Sequence, residues 1–84
     1  MEGETQMNEL TLKHYNENEI EYFYQPEGKG IKGVIKFDVK TGKATITKHA
    51  ESDCGKDYDF MAKIAVEEIS RRNNLPRKYT QMWY

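Results

Sequence analysis

The chain has 84 residues, a formal net charge of -1 and a mean hydropathy of -0.94. That length makes one domain, and no apolar run approaches the roughly 20 residues of a bilayer-spanning helix. A single cysteine excludes an internal disulfide framework and a zinc site built on paired cysteines. No basic segment followed by an apolar stretch opens the chain, so no secretory leader is expected; together with the lone cysteine this points to the cytoplasm.

Charge is unevenly spread. Residues 1–27 carry seven glutamates against Lys13, net -6, and residues 28–84 carry twelve Lys or Arg against seven Asp or Glu, net +5. Arg71, Arg72, Arg77 and Lys78 fall in the last fourteen residues, which hold no acid. Such asymmetry fits either an oppositely charged partner or two halves that neutralise each other side by side. The second is the stronger expectation, because a pI near 6.1 gives no long-range attraction for a polyanion.

Residues 1–7 are polar and without period, and are expected to be disordered. The single domain is then 8–84. Residues 9–15 alternate, with Leu10, Leu12 and His14 on one face and Thr11, Lys13 and Tyr15 on the other, the pattern of a half-buried strand. Asn16, Glu17 and Asn18 form a turn. In residues 19–25, Ile20, Tyr22 and Tyr24 alternate with Glu21, Phe23 and Gln25, a second strand. Pro26 and the glycines after it break it. In residues 34–40, Ile35, Phe37 and Val39 share the inner face of a third strand and Val34 and Lys36 the outer. A turn at Gly42 leads to a fourth strand over residues 43–49, with Ala44 and Ile46 inward and Thr45 and Thr47 outward.

A polar connection precedes a helix expected over residues 57–73. Tyr58, Met61, Ala62, Ala65 and Ile69 fall on one stripe, flanked by Ile64 and Val66. Asp53 or Asp57 is the expected N-cap, Arg71 and Arg72 fall in the last turn, and Asn73, Asn74 and Pro76 end the helix. The tail then places Tyr79, Met82, Trp83 and Tyr84 within six residues. The fold that follows is α+β: a four-stranded antiparallel meander with one C-terminal helix across one face (ββββα), the aromatic tail adding a short fifth strand or lying along the helix.

Four features resemble chemical motifs. Residues 28–33 spell G-x-G-x-x-G, but a strand follows rather than the helix whose N-terminus would meet a pyrophosphate, so a hairpin loop is expected. Cys54 stands near His49, Asp53 and Asp57, yet two carboxylates disfavour a thiolate, and the set has no standard metal spacing. His14 falls on the apolar face and reads as a satisfied histidine. Adjacent Glu67 and Glu68 point different ways and read as solvated surface. No catalytic set can be placed, and no cofactor, metal or membrane partner is expected.

Two readings of function remain. The first, and the stronger, is a non-enzymatic protein–protein interaction domain, its partner another protein or a second copy in a two-fold dimer. Its contact residues would be Tyr15, Phe23, Val34, Arg77, Lys78, Tyr79, Trp83 and Tyr84, since tyrosine, tryptophan and arginine dominate interfaces. The alternative is a nucleic-acid-binding domain that uses the outer sheet face and the basic, aromatic tail.

Overall fold

Strand alternation and the helical stripe are both realised in the computed structural model, which describes residues 5–50, 56–72 and 75–83. The elements are β1 (Gln6–Tyr15), β2 (Glu19–Pro26), β3 (Gly33–Asp38), β4 (Lys43–Lys48), α1 (Lys56–Ser70) and β5 (Lys78–Trp83). The strands form one antiparallel sheet in the order β4-β3-β2-β1-β5. The aromatic tail is thus a fifth strand, beside the first. One sheet face is the core: Leu10, Ile20, Tyr22, Tyr24, Ile35, Phe37 and Ala44 meet Ala62, Ala65, Val66 and Ile69 of α1. Full burial of each larger aliphatic group is worth about 1.5–3 kcal/mol. No helix among the described residues is long and apolar enough to cross a membrane.

Several expectations change at the ends of elements. β1 begins at Gln6 because Gln6 and Met7 pair with Trp83 and Met82 of β5. A register shift in β1 between Leu12 and His14 sets His14 opposite Glu21 and Tyr15 opposite Ile20. The bulge exchanges faces, as one inserted residue must. His14 therefore leaves the apolar face for the outer one, where it is exposed, and Tyr15 turns to the helix side. β3 stops at Asp38, whose Oδ1 accepts from the amides of Lys40 and Thr41 at 2.9 and 3.3 Å. Val39 consequently lies in the turn and is 44% exposed rather than part of the core face. Gly42 closes that turn with φ of 72° and donates its amide to the Asp38 carbonyl at 2.8 Å. Val34, read as open surface, is only 9% exposed beside its cross-strand neighbour Phe23.

The helix is shorter than its pattern. It starts at Lys56, so Asp57 lies in its first turn and is not its cap. It stops at Ser70, leaving Arg71 and Arg72 beyond it. Ile64 is 41% exposed and Phe60 61%, both on the side away from the sheet. Glu67 is not free surface: its Oε2 accepts the Ala44 amide of edge strand β4 at 2.9 Å. Asp53, Cys54, Asn73, Asn74 and Tyr84 lie outside the described residues, so the expectations placed on them are not addressed.

The glycines of residues 28–33 have structural explanations. Gly28 and Gly30 take φ of 66° and 81°. At Gly33 an added Cβ would stand 2.6 Å from both the Lys48 carbonyl oxygen and the Ala50 nitrogen, and against the Tyr24 ring. The chain leaving β4 therefore crosses β3 where only hydrogen fits. Gly33→Ala is expected to destabilise the fold by about 2 kcal/mol or more; urea unfolding followed by circular dichroism measures it.

A polar tie fastens the start of α1 to the sheet. Tyr58 donates to Glu27 Oε2 at 2.5 Å, and the Met7 amide donates to the same oxygen at 3.1 Å. These two bonds, the phenol's first, hold the Glu27 carboxyl below its ordinary value of 4.5. A depressed carboxyl stabilises the fold above its unfolded value and loses that effect as pH falls through the folded one. Stability should therefore decline below pH 4.5, and Glu27→Gln should flatten that part of the decline, as urea midpoints at pH 7 and at successively lower pH will show.

Candidate functional site

β5 is shorter than β1, and that difference builds the site. Pairing between them ends at Thr11 opposite Lys78, with one further backbone bond from the Leu12 amide to the Arg77 carbonyl at 2.8 Å. β1 continues to Tyr15, held on its other side by β2. Among the described residues, nothing pairs with residues 13–15 on the β5 side. An open cleft of about 800 Å³ lies there, lined by Thr11, Leu12, Lys13, His14, Tyr15, Leu75, Arg77 and Lys78.

The far wall is anchored from the core. Fully buried Tyr22, in mid-β2, donates its hydroxyl to the Pro76 carbonyl at 2.6 Å. Burial pushes its phenol up to about 12. This bond and the Leu12–Arg77 bond fix the segment that carries Leu75 and Arg77 into β5. Leu12 and Leu75 are partly buried and pack on the core, so the cleft has an apolar floor.

Charge at the rim is one-sided. Among the described residues no Asp or Glu lines the cleft. Lys13 reaches Glu21 at 3.4 Å and His14 approaches Glu19 at 3.9 Å, both exposed pairs of small energetic worth. Arg77 and Lys78 are exposed, and among the described residues neither forms an ion pair. Elsewhere the two halves of the chain do neutralise one another: Lys36 of β3 meets Glu19 of β2 at 3.0 Å, which holds the ammonium above its ordinary value. The basic tail is where this compensation stops.

The structure thus brings together Tyr15, Arg77 and Lys78 from the sequence-derived contact set, and adds Lys13, His14, Leu12 and Leu75. Phe23 lies on the outer sheet face, with the Lys13 and Lys32 ammonium groups 5.9 and 5.5 Å from its ring centroid. Val34 is buried beside it. Tyr79 packs on the core, opposite Leu10. Trp83 is half-buried and meets Tyr58 edge-to-face at 5.1 Å and 63°. The added residues were hidden by the bulge, and no periodicity marks where β5 begins relative to β1.

A second polar cluster sits beside Tyr58, on Asp59 in the first turn of α1. Tyr24 donates to Asp59 Oδ1 at 2.6 Å and accepts the Ala50 amide at 3.0 Å, while Asp59 Oδ2 lies 3.0 Å from His49 Nδ1. Burial first, then the bond to Asp59, lifts the Tyr24 phenol well above its ordinary value of 10. This set ties the exit of β4 to α1. His49 thus partners Asp59, a residue that the sequence pattern had not grouped with it.

Compared with known protein families, curated proteins and solved structures, the chain matches none of them.

If Tyr22 anchors the cleft wall, Tyr22→Phe should keep the fold, cost about 1–3 kcal/mol by orphaning the Pro76 carbonyl, and loosen the Leu75–Arg77 wall. Amide hydrogen exchange should then speed up at Leu12, whose bond partner is the Arg77 carbonyl, ahead of amides in β3.

Proposed function

We propose that this is a non-enzymatic protein-binding domain of the cytoplasm that docks its partner in the cleft where β1 outruns β5. The observation that carries this reading is the stretch of β1 at residues 13–15 that no described residue pairs on the β5 side, with Tyr15 62% exposed beside Arg77 and Lys78. An unpaired strand edge is a template for another chain. Tyrosine and arginine supply rigid aromatic area and planar donors, the groups that most often dominate protein interfaces.

The nucleic-acid reading draws less support. The outer sheet face carries Glu19, Glu21 and Asp38 beside its lysines. The Phe23 ring, the natural stacking platform on that face, already has two ammonium groups over it.

Site-directed photo-crosslinking tests the proposal. A photoreactive side chain at position 15 should capture discrete protein adducts in cells, including one of twice the monomer mass if the partner is a second copy. The same group at Lys43, on the opposite edge strand β4, should not. Equal capture from both positions, or adducts removed by nuclease, would refute it.

A further inference from the structure

We infer that the cleft takes an extended, acidic segment of a partner protein, added to the sheet as a strand along residues 13–15 of β1 in line with β5. This rests on the reading of the cleft as a protein-docking site and names the chemistry of what enters it.

Backbone comes first. β2 holds one side of β1 to its end, with His14 opposite Glu21 and Tyr15 opposite Ile20. On the other side β5 supplies partners only as far as the Leu12 amide. Peptide groups on a strand edge are obligatory donors and acceptors, and an extended chain satisfies a row of them in register. At about 3.3 Å per residue, the open stretch is about 10 Å long, room for a strand of about three residues. The bulge before His14 makes this stretch irregular, which favours a short addition over a long ladder.

Charge selects the side chains. Lys13, His14, Arg77 and Lys78 line the cleft, and among the described residues no carboxylate does. Arg77 and Lys78 have no ion-pair partner among the described residues, so an incoming carboxylate displaces no existing pair at either. A guanidinium offers a planar fork that a carboxylate matches with two parallel bonds. The apolar floor of Leu12 and Leu75 receives one uncharged side chain between the acidic ones. A strand alternates its side chains between two faces, so acidic and apolar residues in alternation meet rim and floor together.

The test uses the full chain and fluorescein-labelled nonapeptides read by anisotropy. The probes are alternating Glu-Val, Lys-Val and Thr-Val, and Glu-Val with alternate backbone nitrogens methylated; an oligothymidylate is the comparator. The Glu-Val peptide should bind. The Lys-Val and N-methylated peptides should bind about tenfold more weakly or worse, as should Glu-Val to the Arg77→Glu/Lys78→Glu double variant. Circular dichroism should show that this variant is folded, since both side chains are exposed. Tyr15→Ala, which leaves Lys13, Arg77 and Lys78 in place, gives a second, milder lesion in the same cleft. Indifference to N-methylation, to peptide charge or to the double variant overturns the inference. Equal binding of Thr-Val and Glu-Val, both weakened by Tyr15→Ala, overturns the acidic strand but leaves protein docking standing. Binding of oligothymidylate alone overturns both.

Discussion

Pairing between β1 and β5 brings opposite ends of the chain together, and most of what is distinctive in the structure follows from it. With β5 in place, the helix-side face gains Tyr79 opposite Leu10, Gln81 opposite Asn8 and Trp83 opposite Gln6. Without it, β1 would be an edge strand, and Leu10 and Asn8 would each lose a neighbour on that side. Because β5 covers only Gln6–Thr11 of β1, the same pairing that completes the core leaves the cleft. Core and candidate site are thus two results of one difference in strand length.

Buried polarity fixes where that pairing falls. Asn8 is fully buried; its Nδ2 donates to the Tyr58 carbonyl at 3.0 Å and to Gln81 Oε1 at 3.2 Å, and Gln81 Nε2 donates to the Met61 carbonyl at 2.8 Å. Among the described residues Asn8 Oδ1 has no partner, so the site is under-satisfied by one acceptor. A slip of β5 by one residue against β1 would turn Gln81 outward, away from Asn8, and drive Met82 or Thr80 toward the helix. Apolar residues tolerate several alignments; a buried amide tolerates few, and here it discriminates at some expense in stability.

The alternating strands and the helical stripe were legible because period reports burial directly: Leu10, Ile20, Tyr22, Tyr24, Ile35, Phe37 and Ala44 all lie inward as their spacing requires. Reading failed where one residue changes phase or where distance along the chain conceals a neighbour. The bulge before His14 reversed the faces of His14 and Tyr15. Asp38 capped the turn early and put Val39 outside. Val34 was buried by its cross-strand neighbours, which no local pattern encodes. The aromatic tail showed that Tyr79 and Trp83 needed cover, but not that β1 would be the partner or that residues 13–15 would be left over. The cleft depends on that remainder, so only its cationic and aromatic residues could be anticipated.

The end-to-end closure also has a temporal side. During synthesis, β1 through β4 emerge well before Trp83, and an antiparallel meander forms from neighbouring segments at small cost in loop entropy. The strand that completes β1 arrives last. Until it does, the whole flank of β1 is available to any extended chain nearby, the condition that invites misassembly on crowded ribosomes. Afterwards β5 takes over as that edge of the sheet, and among the described residues only the short remnant at residues 13–15 of β1 stays open, so maturation confines access to β1 to one selective stretch.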